Sequence, residues 1–490
     1  MSATKPAVAS ARSRPARVAV WLFVGSLALY NVNLREISSG DTVSTRLTAV
    51  RLARDFRLDL DSFFRGSPPA EPLPFWVQHV GGHYVSTSPV LPSLLAVPVY
   101  FFPVRLLWVD PPLINLLAKV SASLVAALSV VVVFLVLRIL ASERAALVAT
   151  LVYAFGTSTW SVSSQGLWGH GPAELFLAAA IYWLLRGEDH RWAYDWAGLS
   201  AGLMFASRPQ TAGLVGAALI GAAILRDRRR GVRCLVWFSA VALAVLGYNL
   251  WTFGSIAGGY ARLNATYLPL YRVESVWSTA IGHGLLGLLV SPSRGLFVYS
   301  PVLLWAASGV VRSRSHPRRD VLGCLAIGLG ASILALGAYS LWWGGHSFGP
   351  RLLTDFLPIW AVFLALAWPS IEGSRARTAL FRSMAAASVA VQAIGAFYYP
   401  SPREVDWDKT PRDVDVAHDR LWDWRDPQIL RLLRNGPRPP GFGGWPSVAP
   451  DVAREGPVRR VAPNRAHLRP GPPRFSAKLG SRERRGESAR

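Results

Sequence analysis

The chain has 490 residues, of which 51% are hydrophobic and 17% charged, and its mean hydropathy is +0.29. Apolar runs of about 17–25 residues recur from Val18 to Tyr398, longer than a soluble core needs and long enough to cross a bilayer as helices. The formal net charge of +23 invites a nucleic-acid reading, but the arginines sit in short clusters between apolar runs and in the C-terminal tail, without zinc-ligand spacing or a basic–aromatic RNA signature, which excludes that class.

In chain order, residues 1–17 carry Lys5, Arg12, Arg14 and Arg17 ahead of an apolar stretch. They read as a cytoplasmic segment leading into an uncleaved first span. Crossings are predicted at 18–34, 112–138, 144–162, 171–186, 193–207, 210–226, 232–253, 296–311, 320–341, 350–369 and 380–398, about eleven in all. With this alternation, Arg138/Arg144, Arg186/Arg191, Arg226–Arg233, Arg312–Arg319 and Arg375–Arg382 all fall in short cytoplasmic loops. The fold class is therefore an all-α polytopic membrane protein, with a transmembrane domain over 18–398.

The first outer loop, 35–111, is long. Thr45–Leu60 places Leu47, Val50, Ala53 and Leu58 along one face, the pattern of a helix lying on the membrane surface. Ser88–Phe102 is apolar but short and broken by Pro89, Pro92 and Pro98, so it reads as a re-entrant or interfacial segment. Counting it as a crossing would move the later basic loops outside. Beyond Tyr398, residues 399–434 form an outer Trp-rich segment, and 435–490 are dominated by Pro, Gly and Arg, a composition that predicts disorder. Two cysteines, Cys234 and Cys324, support neither a disulfide scaffold nor a four-ligand zinc site.

The polar residues that could do chemistry gather on the outer side. Asp41, directly after the first span, can accept a proton from an attacking hydroxyl or hold a metal; it is equally placed to cap the helix that follows. His83 and Tyr84 precede the proline-broken stretch, and His170 and His346 lie in later outer loops; histidine serves as acid, base or ligand, although isolated loop histidines are more often neither. Arg208, Arg294 and Arg351 stand at the outer ends of spans. An arginine close to lipid favours a functional partner and grips phosphate with two donors, the competing reading being snorkelling or pairing with an acid such as Asp355. No phosphate-binding lysine loop, dinucleotide fingerprint or nucleophile elbow stands in a suitable context.

Four motifs in order, Ser39-Gly40-Asp41-Thr42, Gly82-His83-Tyr84-Val85-Ser86-Thr87-Ser88-Pro89, Ser291-Pro292-Ser293-Arg294-Gly295-Leu296 and Gly345-His346-Ser347-Phe348-Gly349-Pro350-Arg351, resemble the GT-C superfamily of membrane glycosyltransferases. The nearest likeness is to bacterial relatives of the protein O-mannosyltransferases, over roughly residues 18–430. The resemblance implies a GT-C-like fold and transfer of a sugar from a polyprenyl-phosphate carrier to a glycan, lipid or protein acceptor, with inversion, on the outer face of a bacterial plasma membrane. Asp41 would activate the acceptor hydroxyl. Arg351, Arg294 and Arg208 would bind the donor phosphate, and His83, Tyr84, His170 and His346 would shape the substrate pocket. No metal ligand is assigned, although a divalent cation is compatible. Two departures stand out: Asp41 has the neutral neighbours Gly40 and Thr42 where many relatives pair two acids, and Thr87, Val90 and Leu91 replace a Lys and a Pro-Pro-Gly-like turn.

Two other classes compete. A transporter or lipid flippase would place ionisable groups near the bilayer midplane, whereas here Lys119 and Glu174 are the main charges inside spans. A non-catalytic assembly partner gains weight from the neutral residues after Tyr84.

Overall fold

A computed structural model describes residues 7–37, 39–64, 73–271 and 273–442. Helices dominate, and the strands of the described residues form one two-stranded hairpin. Five helices are long and apolar enough to cross a membrane: Pro111–Leu140, Pro209–Arg226, Arg228–Phe253, Arg319–Ala338 and Arg375–Tyr398. Each lies on a predicted crossing. Pro111–Leu140 starts where a helix should: the Asp110 carboxylate accepts from Leu113 N at 2.9 Å, and proline opens the first turn, where its missing N–H costs nothing.

Shorter helices, Glu143–Phe155, His170–Leu185 and Ala193–Ser207, pack among these with Ala146, Ala178, Ile181, Leu184 and Ala201 fully buried. The predicted runs 296–311 and 350–369 are broken rather than continuous. The first becomes Leu296–Tyr299, a 3-10 turn at Pro301–Trp305, and Ala306–Ser313; the second opens with a 3-10 turn, Arg351–Phe356, before Leu357–Leu366. Pro301 and Pro358 account for the breaks, since proline cannot continue the hydrogen-bond ladder of a preceding turn. A helix at Ile281–Val290 lies in what the hydropathy pattern places within an outer loop, and it packs against Arg319–Ala338.

The long loop 35–111 contributes most of a second, smaller core. A helix runs over Gly40–Asp55, earlier than Thr45–Leu60, because Ser39 caps it: its hydroxyl accepts from Asp41 N at 3.3 Å, and its own N–H donates to the Thr42 hydroxyl at 3.3 Å. The helix is enclosed on most sides instead of leaving one face open. Val43, Leu47, Val50 and Ala53 join Trp76, Tyr100 and Ile114 in the core, while Arg51 is paired with Asp55 and Asp59 and Arg46 with Glu36. The hairpin Val77–Val80/His83–Ser86 turns on Gly81 and Gly82, both at positive φ. Ser88–Phe102 contains the helix Leu91–Tyr100, ten residues and so about 15 Å long, half the hydrocarbon thickness of about 30 Å. It cannot be a full crossing.

The C-terminal segment, up to residue 442, folds back onto the loops that connect the helices. Asp408 pairs with Arg294 at 2.8 Å, Gln428 donates to Ser347 O at 2.9 Å, and the helix Gln428–Asn435 lies against Arg375–Tyr398. The predicted tail boundary at residue 435 coincides with the end of that helix, yet residues 436–442 remain bonded: Gly441 N donates to Leu34 O at 2.9 Å and Asn115 donates to Phe442 O at 2.8 Å. The rest of the tail, 443–490, for which composition predicts disorder, lies outside the described residues.

Candidate active site

Asp41 stands two residues after the Ser39 cap, in the first turn of the Gly40–Asp55 helix. Because Ser39 supplies the cap, the Asp41 carboxylate is not used for it, and the capping alternative for Asp41 gives way to a different partner: Arg351 Nη1 donates to Asp41 Oδ2. Gly40 leaves room for this arrangement, since a methyl group there would stand 2.2 Å from the Phe75 ring. Arg351 is further fixed by Nη2, which donates to Gly344 O at 2.5 Å, and by the Trp168 ring 4.7 Å from its guanidinium carbon. The 3-10 turn that begins at Arg351 and the positive φ of Gly344 and Gly345 bring this loop round to the Asp41 end of the capped helix.

Asp41 and Arg351 line a cavity of about 370 Å³ together with Arg208, Thr211, His346 and Asp415. Six aromatic residues contribute to its walls: Phe75, Tyr260, Tyr271, Trp277, Tyr339 and Trp343. Concave, mostly apolar walls with a few converging charged groups are what a ligand site requires.

Arg208 is held by Asp355, at 3.3 Å from Nε to Oδ2. Asp355 is also bound by the Thr211 hydroxyl at 2.5 Å and by His170 Nδ1 at 2.6 Å. His170 is fully buried behind the wall, and its Nε2 has no hydrogen-bond partner among the described residues. Asp355 therefore pairs with Arg208 and not with Arg351, the partner that sequence spacing suggests. Nothing in the local sequence signals this, because Arg208 and Asp355 are 147 positions apart.

His346, also on the cavity wall, has its Nε2 2.9 Å from Asp413 Oδ1 and 3.4 Å from Asp415 Oδ2. Burial alone would lower the His346 pKa, but the hydrogen bond to Asp413 and the carboxylates of Asp408, Asp415 and Asp413 outweigh it and push it up to about 9. Asp415, which lines the cavity, and Asp413, which pairs with His346, come from the Trp-rich segment and were missed by sequence reasoning. Their only signal is an acidic cluster in a segment otherwise read as packing.

The remaining expected residues lie elsewhere. Arg294 is 1% exposed and does not line this cavity; its donors go to Asp408, Trp343 O at 2.9 Å, Ser293 O at 2.8 Å and Gly345 O at 3.0 Å, so it clamps the loop behind the wall. His83 is on the hairpin with Nδ1 2.6 Å from Asp61, and Tyr84 packs its ring on Phe64 and His79; neither lines the cavity. Lys119 and Glu174 are buried in the bundle, Lys119 donating to Gln165 Oε1 at 2.6 Å and Glu174 accepting from Thr159 at 2.9 Å.

A divalent cation at Asp41 finds little support in the donor set. The carboxylate faces a guanidinium, and the ligand-bearing side chains that cluster within 4.8 Å of one another among the described residues are His346, Asp413 and Asp415. There the imidazole is held toward its protonated form, which competes with metal.

A family model described as dolichyl-phosphate-mannose-protein mannosyltransferase matches residues 117–251. No curated protein matches the chain significantly. Among solved structures, the archaeal oligosaccharyltransferase AglB from Archaeoglobus fulgidus, in complex with an inhibitory peptide and a dolichol-phosphate, is similar with a TM-score of 0.45 and 14% identity, over 77% of this chain and 55% of its own. ArnT from Cupriavidus metallidurans, bound to undecaprenyl phosphate, is similar with a TM-score of 0.47 and 16% identity, over 79% and 65%. The chain thus spans between half and two thirds of the length of these structures. The family match over 117–251 and the ordered outer-loop motifs together mark the chain as an integral membrane protein resembling the GT-C glycosyltransferases.

Proposed function

We propose that the protein is an inverting glycosyltransferase that moves a hexose or pentose from a polyprenyl-phosphate carrier to an acceptor hydroxyl, on the non-cytoplasmic face of a bacterial plasma membrane. The observation that carries this reading is the convergence of Asp41, Arg351 and Arg208 on one aromatic-walled cavity. The basic loops support the orientation, since they share one side when Ser88–Phe102 is not a crossing.

The chemistry needs an acid–base group and an anion cradle in one site. The acceptor oxygen attacks the anomeric carbon while Asp41 takes its proton, and the bond from that carbon to the phosphate oxygen breaks with its electron pair going to the lipid phosphate. Arg351 and Arg208 sit where that developing charge would be met by preorganised donors, a contribution on the order of 10²–10³ in rate for each well-placed donor. The Asp41–Arg351 ion pair has to open in the cycle. A donor phosphate that draws Arg351 away releases Asp41 toward the acceptor, so donor binding precedes activation of the acceptor.

The test is to incubate the purified protein, in lipid nanodiscs, with a panel of polyprenyl-phosphate sugars and candidate acceptor glycans, lipids and peptides. The reading expects acceptor-dependent release of lipid phosphate from at least one donor. Failure to bind or consume any of them would overturn it.

A further inference from the structure

We propose that Asp415, delivered to the cavity by the C-terminal segment, accepts hydrogen bonds from ring hydroxyls of the donor sugar and thereby determines which sugar is used. The proposal rests on the glycosyltransferase reading above and adds to it a specificity residue outside every motif of the family resemblance.

Three observations carry it. First, the carboxylate is held rigidly. Asp415 Oδ1 accepts from Trp343 Nε1 at 2.7 Å, Oδ2 lies 3.4 Å from His346 Nε2, and the backbone N–H donates to Asp413 Oδ1 at 2.9 Å. An ionised carboxylate has about four acceptor sites, and these contacts occupy two, so it reaches the cavity with acceptor capacity to spare. Sugar hydroxyls are neutral donors suited to that capacity.

Second, Asp415 lines the same cavity as the phosphate-gripping arginine. Arg351 Nη2 donates to Gly344 O, and a methyl group on the next residue, Gly345, would stand 3.9 Å from Asp415 Oδ1. The guanidinium and the carboxylate therefore both border the Gly344–Gly345 turn in the same cavity. A sugar bonded through its anomeric oxygen to a phosphate at Arg351 would have its ring hydroxyls within this cavity, beside Asp415. Both glycines have positive φ, 76° and 69°, and their lack of side chains leaves the cavity open there.

Third, the same cavity is lined by Trp343, Tyr339, Tyr260 and Trp277, aromatic side chains of the kind against which the C–H side of a sugar ring packs. A carboxylate beside aromatic faces fits a hydroxylated ring, and it would leave a buried acceptor unpaired against a ring lacking the contacted hydroxyl.

The experiment compares wild type with Asp415→Asn and Asp415→Ala, using the full chain in nanodiscs, a hydroxylated polyprenyl-phosphate sugar, its deoxy analogues and sugar-free polyprenyl phosphate as competitor. For the hydroxylated donor, kcat/KM should fall by about 10–100-fold in both variants, the worth of hydrogen bonds to a charged group. Inhibition by the sugar-free lipid phosphate and the KM for the acceptor should stay unchanged, and one deoxy donor should be used equally by all three proteins. An unaltered kcat/KM in both variants would overturn the assignment. So would a matching loss of affinity for the sugar-free lipid phosphate, which would mark Asp415 as merely structural, or a change confined to acceptor KM. If wild type itself transfers from no donor, the glycosyltransferase reading has failed first, and the assignment falls with it.

Discussion

Arg351 places a guanidinium nitrogen on the carboxylate of Asp41, a residue 310 positions earlier in the chain. The contact joins the start of the Gly40–Asp55 helix to the start of the 3-10 turn Arg351–Phe356, and both residues line the cavity. It also brings the proposed base and the proposed phosphate-binding arginine together before any substrate is considered.

Arg351→Lys keeps the charge but loses the planar fork that reaches both Asp41 and Gly344 O. Donor KM should rise by about tenfold or more, with acceptor KM nearly unchanged, because a point charge replaces a two-pronged grip. Steady-state kinetics with each substrate varied in turn will check this, and an unchanged donor KM would remove Arg351 from phosphate binding.

Arg294 should behave as a structural residue. Its pair with Asp408 is buried on both sides, 1% and 0% exposed, and removing one partner from such a pair costs about 3–5 kcal/mol. Arg294→Met should therefore unfold at markedly lower temperature, and combining it with Asp408→Leu should restore much of the loss. A raised donor KM at unchanged stability would instead return Arg294 to the phosphate.

The stability of the cap formed by the Trp-rich segment should depend on pH through His346. Its folded pKa of about 9 lies above the ordinary value near 6.5, so the stabilisation is full below about pH 6.5 and is lost as pH rises through about 9. Thermal unfolding of wild type should lose stability between pH 7 and 9.5 more than His346→Gln does. Parallel curves for the two proteins would contradict the assignment.

Ser39→Ala should destabilise the core around the Gly40–Asp55 helix by about 1 kcal/mol, the usual worth of a helix N-cap. The same substitution should lower activity, because the cap sets the direction in which Asp41 leaves the helix. Denaturation and turnover measured on one preparation will separate the two effects.

Much of this architecture was legible in the sequence, for reasons that also set the limit. Length and hydropathy located the long helices because a bilayer imposes a length, and Pro92 and Pro98 marked Leu91–Tyr100 as too interrupted to cross. Arg208 and Arg351 were singled out by their place at the ends of predicted spans, Asp41 by its place just after the first, and His346 as a loop histidine in a motif, and all four line the cavity. The pairings were not legible. Asp355 bonds Arg208 and His170, and Asp415 bonds Trp343, across 147, 185 and 72 positions, distances over which no periodicity carries information. Arg294 shares the outer-end position of the others yet is turned into the protein, since only the folded C-terminal segment supplies Asp408. The start of the Gly40–Asp55 helix was missed because an amphipathic pattern fixes a face and not a first residue.

The most direct test of the proposed activity is turnover by Asp41→Asn, measured beside wild type with the same lipid-linked donor and with donor binding followed separately. The substitution keeps the shape of the side chain and removes its capacity to take a proton. Transfer should fall by roughly 10³-fold or more while donor binding and thermal stability remain. Wild-type-like turnover by this variant would contradict the assignment of Asp41 as the base and the mechanism built on it.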